Sequence, residues 1–514
     1  MDTKLPDRKR KTIFFIFIII VVLAYLSLYL YKKIGTTNKA RRFTLGIERI
    51  INKVRLGSPT SKSIAHFVMG IIYDNEARTE EAIKEYAKAA EFEPDISYLH
   101  TRLGADYFLA KDEEKAIEEL KLAKILDPAD IRSRLVLAVL HTAGDRLQDA
   151  EKEYRSVVRL DPESSWAMSS LADVLVMQQK TSEAAKVYEE MIKREDAPPI
   201  AYFNLGVIYA RMGRLDEAIG KFLEAIKIDP QYSEAYLGLG VIYEIKGDYA
   251  KAIENFDHVL KLDPLNDAIY NHLGSIYRKQ DRIEEAIRQF ETMARINPDN
   301  YLAYTGLADV FNQANRKEEA IAVLEKAVSR GIKEPELYLA LGYEYSELGD
   351  EEKALKLYMA ALEAKPEDPK AHFYLGSLYE KQGLREDAIR EFRESIRLDP
   401  AFAEAYNYLG YMFAESGENL DEAQELLNKA LHLEPDNAAF IDSLGWIYFK
   451  KGRLDEAAGL LERAAELEPG DPTIHDHLGD VYFKKGQKEK ALVNWRRSLE
   501  IDPSQENIIK KIGQ

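Results

Sequence analysis

Cysteine is missing altogether from the 514 residues of the sequence. Its absence excludes disulfide bonds, zinc sites with thiolate ligands, iron–sulfur clusters and cysteine nucleophiles. Motifs of other enzyme classes are missing as well: there is no glycine-rich phosphate loop, no paired-histidine zinc motif and no Gly-x-Ser-x-Gly elbow. The sequence therefore predicts a protein that is not an enzyme and holds neither a cofactor nor a metal ion.

Acidic residues outnumber basic ones over most of the chain. Residues 1–60 hold 13 Lys and Arg against 3 Asp and Glu, whereas the other 454 residues hold 58 basic and 85 acidic groups. An acidic body repels phosphate backbones, so binding to nucleic acid is not expected. The change of sign near residue 60 indicates two physically different parts.

An uncharged run extends from Thr12 to Tyr31, with basic residues on both sides. As a helix, these 20 residues extend about 30 Å, the thickness of a bilayer's hydrocarbon core. We predict an uncleaved transmembrane helix over residues 12–31, behind a basic tail of residues 1–11. A cleaved signal peptide is the alternative, although its apolar region is usually shorter. Because short basic tails stay inside, we expect the N-terminus in the cytoplasm and the body on the extracytoplasmic side.

Residues 32–62 form a basic juxtamembrane segment. Apolar residues recur at helical spacing between Phe43 and Leu56, with basic residues between them. This pattern is typical of an amphipathic helix that lies on an anionic membrane surface. A helix that caps the following part of the chain is the alternative.

The rest of the sequence repeats with a period of 34 residues. Intervals of 34 or 68 residues, and one of 35, separate the prolines at positions 94, 128, 162, 230, 264, 298, 366, 400, 435, 469 and 503. Thirteen repeats follow, starting at Ser63, with the proline at repeat position 32. Position 7 is Leu in twelve repeats and Met69 in the first, position 8 is Gly or Ala, and position 20 is Ala in all thirteen.

Each repeat is predicted to form two helices in close contact. Small residues at positions 8 and 20 let the helices approach, and large ones at positions 4, 7, 11 and 24 fill the space between them. Glycine at position 15 of several repeats, such as Gly213 and Gly349, ends the first helix in the left-handed conformation.

This pattern resembles the tetratricopeptide repeat over residues 63–504. The resemblance implies an all-α fold: a right-handed superhelical solenoid of thirteen helix–turn–helix repeats, whose first helices line a concave groove. Residues 505–514 are expected to form a C-terminal capping helix.

The groove of this family is lined mainly by repeat positions 2, 5, 6, 9, 12 and 13. Grooves that clamp a C-terminal carboxylate pair Lys at 5 with Asn at 9, a pair that no repeat has here. The Asn ladder at position 6 of the O-linked sugar transferase is reduced to Asn204. The groove positions instead hold aromatic and polar residues toward the C-terminal half, namely Tyr343, Phe373, Tyr374, Asn407, Tyr408, Tyr411, Asp442, Trp446, Asp476 and Asp480.

Exposed aromatic residues beside polar groups are typical of peptide or glycan sites. These residues and Asn204 are therefore the candidate partner-binding residues, and Trp446 is the first to test. Packing against the adjacent repeat is the alternative. His475 and His477 are too few to predict a metal site, because no third ligand lies nearby in sequence.

The function predicted from these features is a membrane-anchored scaffold for protein partners in the assembly of a cell-envelope complex. Membrane-anchored repeat proteins of similar layout include regulators of lipopolysaccharide assembly, but those carry a Cys-rich metal module that this sequence lacks. An accessory protein of polysaccharide synthesis or export that contacts glycan is the alternative. The partner and the oligomeric state are not predicted.

Overall fold

The computed structural model describes residues 58–512, which form 27 helices and no strand. They divide after Leu262 into two compact units, called here the first unit (58–262) and the second unit (263–512). The predicted all-helical fold is confirmed. The predicted tail (1–11), transmembrane helix (12–31) and nearly all of the juxtamembrane segment lie outside the described residues. Within residues 58–512, no helix combines the length and the apolarity that crossing a bilayer requires.

Twelve of these helices belong to the first unit and fifteen to the second. The helices of the first unit are α1 Pro59–Asn75, α2 Thr79–Phe92, α3 Ser97–Leu109, α4 Glu113–Leu126, α5 Ile131–Ala143, α6 Leu147–Leu160, α7 Ser165–Met177, α8 Thr181–Met191, α9 Pro199–Arg211, α10 Leu215–Ile228, α11 Ser233–Ile245 and α12 Tyr249–Leu262. Those of the second unit are α13 Asp267–Lys279, α14 Ile283–Ile296, α15 Tyr301–Gln313, α16 Lys317–Ser329, α17 Pro335–Glu347, α18 Glu351–Ala364, α19 Pro369–Lys381, α20 Arg385–Leu398, α21 Ala403–Ser416, α22 Leu420–Leu433, α23 Ala438–Lys450, α24 Leu454–Leu467, α25 Pro472–Lys484, α26 Lys488–Ile501 and α27 Glu506–Ile512.

The helices alternate between the first and the second helix of a repeat. Within each unit, a first helix packs against the second helix of its own repeat, and that second helix packs against the first helix of the next repeat. Each unit is therefore a solenoid, in which a repeat contacts mainly its neighbours in sequence. The short helix α27 follows the last pair and packs against α26.

The first helix starts earlier than the repeat period indicates. It begins at Pro59, ahead of the predicted repeat start at Ser63. The side chain of Ser58 accepts a hydrogen bond from the backbone N–H of Ser61 at 3.4 Å, and proline occupies the first helical position. Both features favour a helix N-terminus. The last residues of the predicted juxtamembrane segment are thus helical.

Small residues lie where the two helices of each repeat approach most closely. All thirteen alanines at repeat position 20 are fully buried. Glycine at position 8 meets the ring at position 24: a Cβ atom on Gly240 would lie 2.5 Å from Cε1 of Phe256. Because interiors are close-packed, neither position tolerates a larger side chain without displacing the neighbouring helix.

In several repeats, a tyrosine or histidine at position 4 forms a hydrogen bond with the repeat before it. The hydroxyl groups of Tyr304 and Tyr270 donate to the carbonyl oxygens of Pro298 and Pro264 at 2.8 and 3.0 Å. His100 serves the same purpose: its Nε2 lies 2.7 Å from the carbonyl oxygen of Pro94. Position 4 thus serves contacts within the stack of repeats.

The residue at position 15 has a left-handed backbone conformation in every repeat, whether or not it is glycine. The non-glycine residues with positive φ at this position are Ala77, Lys111, Asp145, Gln179, Asp281 and Asn315. Their φ values lie between 54° and 63°. A Cβ atom is disfavoured in this conformation, so the turn between the two helices is strained in these six repeats.

Replacing Lys111 by glycine is therefore expected to stabilise its repeat by about 1 kcal/mol. The gain at Asn315 should be smaller, because asparagine tolerates the left-handed region better than lysine. Gly349→Ala should destabilise its own repeat by a similar amount. Amide hydrogen exchange in the altered repeat measures these changes. Equal gains at Lys111 and Asn315 would contradict strain as the cause.

Candidate partner-binding surface

The candidate residues of the second unit lie on consecutive first helices, from α17 to α25. Positions 2, 5, 6, 9, 12 and 13 of such a helix are related by steps of three and four residues, so they share one face. The opposite side of the helix is buried: Leu341 and Leu375, both at position 7, are nearly inaccessible. One face of each first helix is thus left for contacts outside the repeat.

Four rings form an aromatic surface across α17, α19 and α21: Tyr343, Phe373, Tyr374 and Tyr408. The ring centroids of Tyr343 and Tyr374 are 6.1 Å apart, and those of Phe373 and Tyr408 are 5.0 Å apart. Tyr343 and Tyr408 are 46% and 44% exposed, whereas the two other rings are half-buried beneath them. The structure therefore brings together four candidates, two of which are accessible.

Beyond the aromatic surface, four carboxylates form an acidic end: Glu415, Asp442, Asp476 and Asp480. Burial raises the pKa of the half-buried Tyr411 hydroxyl, and the charges of Glu415, Asp442, Glu380 and Asp476 raise it further.

Trp446 is buried at this acidic end, with 8% of its surface exposed. Its ring stacks on His477, with centroids 4.1 Å apart, and on Phe449 at 4.7 Å. Its indole N–H donates to the carboxylate of Glu415. Of the two alternatives for Trp446, the structure favours packing against the adjacent repeat.

His477 and Asp442 form a buried ion pair behind Trp446. Nδ1 of His477 lies 2.9 Å from Oδ1 and 3.0 Å from Oδ2 of Asp442. Burial lowers the pKa of His477, but the carboxylates of Asp442, Asp476 and Asp480 outweigh it, so the pKa is raised overall. Asp442 is therefore not available to a partner.

Asp476 and Asp480 form ion pairs with the C-terminal helix of the same chain. Nζ of Lys511, on α27, lies 2.6 Å from Oδ1 of Asp476 and 2.8 Å from Oδ2 of Asp480. Asp480 also accepts a hydrogen bond from the indole N–H of Trp495 at 3.1 Å. Burial raises the pKa of Asp476, although Lys511 offsets part of this effect.

The two candidate asparagines occupy different environments. The Oδ1 atom of Asn407 is buried and has no hydrogen-bond partner among residues 58–512. Asn204 belongs to the first unit, where its Nδ2 donates to the hydroxyl of Tyr188 at 2.9 Å. It lines a recess of about 270 Å³ with Asp173 and Arg211.

Among the residues that the structure describes, no group of three or more His, Asp or Glu side chains is arranged to hold a metal ion. Both ring nitrogens of His475 have hydrogen-bond partners nearby. Nδ1 lies 3.3 Å from Oδ1 of Asn494, and Nε2 lies 3.2 Å from the carbonyl oxygen of Pro469. His477 instead pairs with Asp442.

The sequence prediction missed Lys511 and the carboxylates of Glu380 and Glu415. Lys511 has a signal in the sequence, since continuing the repeat numbering makes it position 6 of an incomplete fourteenth repeat. Glu380 and Glu415 occupy the groove positions 12 and 13, but without the fold they are indistinguishable from the many solvated carboxylates of this acidic chain.

Comparisons with known protein families find the same kind of helical repeat that the structure shows. Family models of the tetratricopeptide repeat match residues 64–96, 377–438, 415–476 and 472–505. A model described as the C-terminal domain of cilia and flagella-associated protein 70 matches residues 199–404. These matches support the predicted tetratricopeptide repeats over the residues that they cover. No curated protein matches it.

Several solved structures are similar to this chain. The APC/C hetero-tetramer Cut9–Hcn1 is 15% identical over 97% of this chain and 98% of that chain, with a TM-score of 0.45. Yeast Tom70 is 17% identical over 88% and 94% of the two chains, with a TM-score of 0.38. A thermophilic repeat protein of Thermus thermophilus is 26% identical over 35% and 97%, with a TM-score of 0.32.

Proposed function

We propose that this tetratricopeptide repeat protein is a membrane-anchored scaffold whose first-helix face captures protein partners during assembly of a cell-envelope complex. The observation that carries the proposal is the exposure of Tyr343 on α17 and Tyr408 on α21, the first helices on either side of α19. Tyrosine is enriched among residues that dominate binding energy, because it offers a large, rigid ring with a polar tip. The half-buried rings beneath them fix the two tyrosines in place.

The proposal is tested by placing a photo-crosslinking phenylalanine analogue at position 408 of the full chain in cells. A partner bound on the aromatic surface should be crosslinked there and identified by mass spectrometry. Tyr98, a tyrosine of the first unit with similar exposure, provides the matched control position. The same proteins crosslinked with equal yield from both positions would overturn the proposed surface.

A second candidate function is the binding of glycan in polysaccharide synthesis or export. It is supported by the neighbouring positions of Tyr408 and Glu404, one turn apart on α21. A ring face beside a hydrogen-bond acceptor suits a sugar. Retention of the chain on immobilised soluble glycan, lost in Tyr408→Ala, would favour this candidate; protein crosslinks without such retention would favour the scaffold.

The anchor and the location of the repeats are part of the same proposal. The uncharged residues 12–31 act as a single-pass membrane helix, with the basic tail in the cytoplasm and the repeats on the extracytoplasmic side. Protease added to cells with an opened outer envelope should then digest the repeats. Protection of the repeats until the cells are lysed would reverse the orientation.

A further inference from the structure

Carboxylates without a basic partner border the aromatic surface. Glu404 and Glu380 are exposed, and neither forms an ion pair within the described residues 58–512. Glu404 contributes to the raised pKa of Tyr374, after burial and the neighbouring tyrosines, and Glu380 contributes to that of Tyr411. Glu404 also lies one turn from Tyr408 on α21, so an exposed carboxylate stands beside an exposed ring on this face.

Elsewhere in the second unit, the same two groups hold an arginine. The guanidinium of Arg282 lies 4.4 Å from the ring centre of Tyr277, and its NH2 atom is 2.9 Å from Glu285. Arg453 repeats this arrangement with Tyr448 at 4.4 Å and Glu456 at 2.6 Å. Tyrosine and carboxylate together favour a planar cation, through the ring face and a charged hydrogen bond. At Tyr408 and Glu404, no arginine or lysine of the described chain fills that place.

At the acidic end, a cation of the chain itself is bound. The ammonium group of Lys511 contacts both Asp476 and Asp480, and its side chain is 27% exposed. Its helix α27 has only seven residues and is fixed mainly by the fully buried Ile508. Such a short terminal helix is readily displaced, since little apolar surface holds it.

We propose that the face from Tyr343 to Asp480 binds an extended partner segment containing lysine and arginine, and that Lys511 is an internal competitor for its last position. The proposal rests on the proposed function and specifies the chemistry of the partner. Charge complementarity selects a basic segment over an acidic one, because Glu380 and Glu404 lack a cation of the described chain and Asp476 and Asp480 already bind one in Lys511. Binding then requires that the partner displace Lys511 from Asp476 and Asp480.

The test measures binding of a fluorescein-labelled peptide, in which arginine and lysine alternate with serine, to the full chain in detergent. Lys511→Met keeps the aliphatic stem but removes the competing charge, so it should tighten binding roughly fivefold. Lys510→Met is the matched control: it removes the same charge from an exposed neighbour on α27 and should leave the affinity unchanged.

The other side of the contact is tested by weakening variants. Tyr408→Ala and Glu404→Gln should each weaken binding of the peptide several-fold. Glu363→Gln removes an equal charge from an exposed position on the second helix α18 and serves as the control for general electrostatic attraction. Equal effects of Glu404→Gln and Glu363→Gln, or of the two lysine variants, would overturn the proposal.

Failure of this proposal differs from failure of the proposed function. If a peptide with glutamine in place of arginine and lysine binds equally well, the basic chemistry is wrong. Continued crosslinking of a protein from position 408 would then leave the scaffold function standing. Absence of both peptide binding and crosslinks would remove both.

Discussion

Replacing Asp106 by leucine is expected to stabilise the first unit by about 2 kcal/mol near neutral pH. Asp106 lies on α3 at repeat position 10, where eleven of the thirteen repeats have Ile, Leu, Val or Met. It is 3% exposed, and its Oδ2 atom has no hydrogen-bond partner among the described residues. Burial raises the pKa of its carboxyl group to about 6. Leucine would remove this buried charge and restore the apolar contact.

Glu344, the other acidic residue at position 10, shows why Asp106 is the unfavourable one. Glu344 is also buried, but its carboxylate accepts a hydrogen bond from Nδ2 of Asn312 in the preceding repeat. The residue equivalent to Asn312 before Asp106 is Asp74, which is already bound by Arg102 and by the hydroxyl of Tyr86. Glu344→Leu should therefore not stabilise the fold, because it leaves the half-buried amide of Asn312 without this hydrogen bond.

The stabilisation by Asp106→Leu should depend on pH in a defined direction. Because the pKa is raised in the folded state, the ionised carboxylate destabilises the fold fully above about pH 6 and ceases to do so below the pKa of the unfolded chain. The advantage of leucine should thus shrink between about pH 7.5 and pH 5. Arg102, Asp74 and Tyr86 face this region and remain unchanged in the variant.

Urea unfolding and hydrogen exchange of α3 at the two pH values measure the effect. Asp106→Asn is the control for charge alone: it removes the titration but keeps a polar side chain in the apolar position. A gain for leucine that is the same at both pH values would contradict the role of ionisation. Destabilisation by leucine would mean that Asp106 has a ligand or a water partner at this position.

The repeat architecture was predictable because its signals are local and occur thirteen times. Alanine at position 20 and Gly or Ala at position 8 report a helix–helix contact directly, as the full burial of Ala252 illustrates. The left-handed turn at Lys111 was not predictable from its residue type. It follows from the fold, because the second helix must return along the first in every repeat, whatever residue stands in the turn.

The candidate surface was predictable in part. Repeat numbering places Tyr343, Tyr408 and Trp446 on one face, but it does not tell which of them the next repeat covers. Trp446 is covered by the ring of His477 on α25, whereas Tyr343 and Tyr408 retain nearly half of their exposure. Accessibility in a solenoid thus depends on pairs of neighbouring repeats, and a single repeat's pattern does not contain that information.

Trp446→Ala is expected to lower the stability of the second unit by about 3–5 kcal/mol, the largest loss predicted for this chain. The indole fills the space between α23 and α25 and stacks on the imidazole of His477. Its removal leaves a cavity next to the buried pair of His477 and Asp442 and deprives Glu415 of its hydrogen bond. A buried charge pair whose surroundings are opened loses both its packing and its favourable geometry.

Two variants separate the contributions to this loss. Trp446→Phe keeps a ring against His477 but removes the N–H donor to Glu415, so it should cost only about 1–2 kcal/mol. Tyr408→Ala removes an exposed ring on the same face and should change stability by about 1 kcal/mol or less. Hydrogen exchange should accelerate in α21, α23 and α25 of Trp446→Ala and stay unchanged in α13. If Trp446→Ala left the melting temperature unchanged but abolished crosslinking from position 408, Trp446 would instead be a partner contact. Only a residue that does not contribute to the packing of its unit can be removed without weakening the fold.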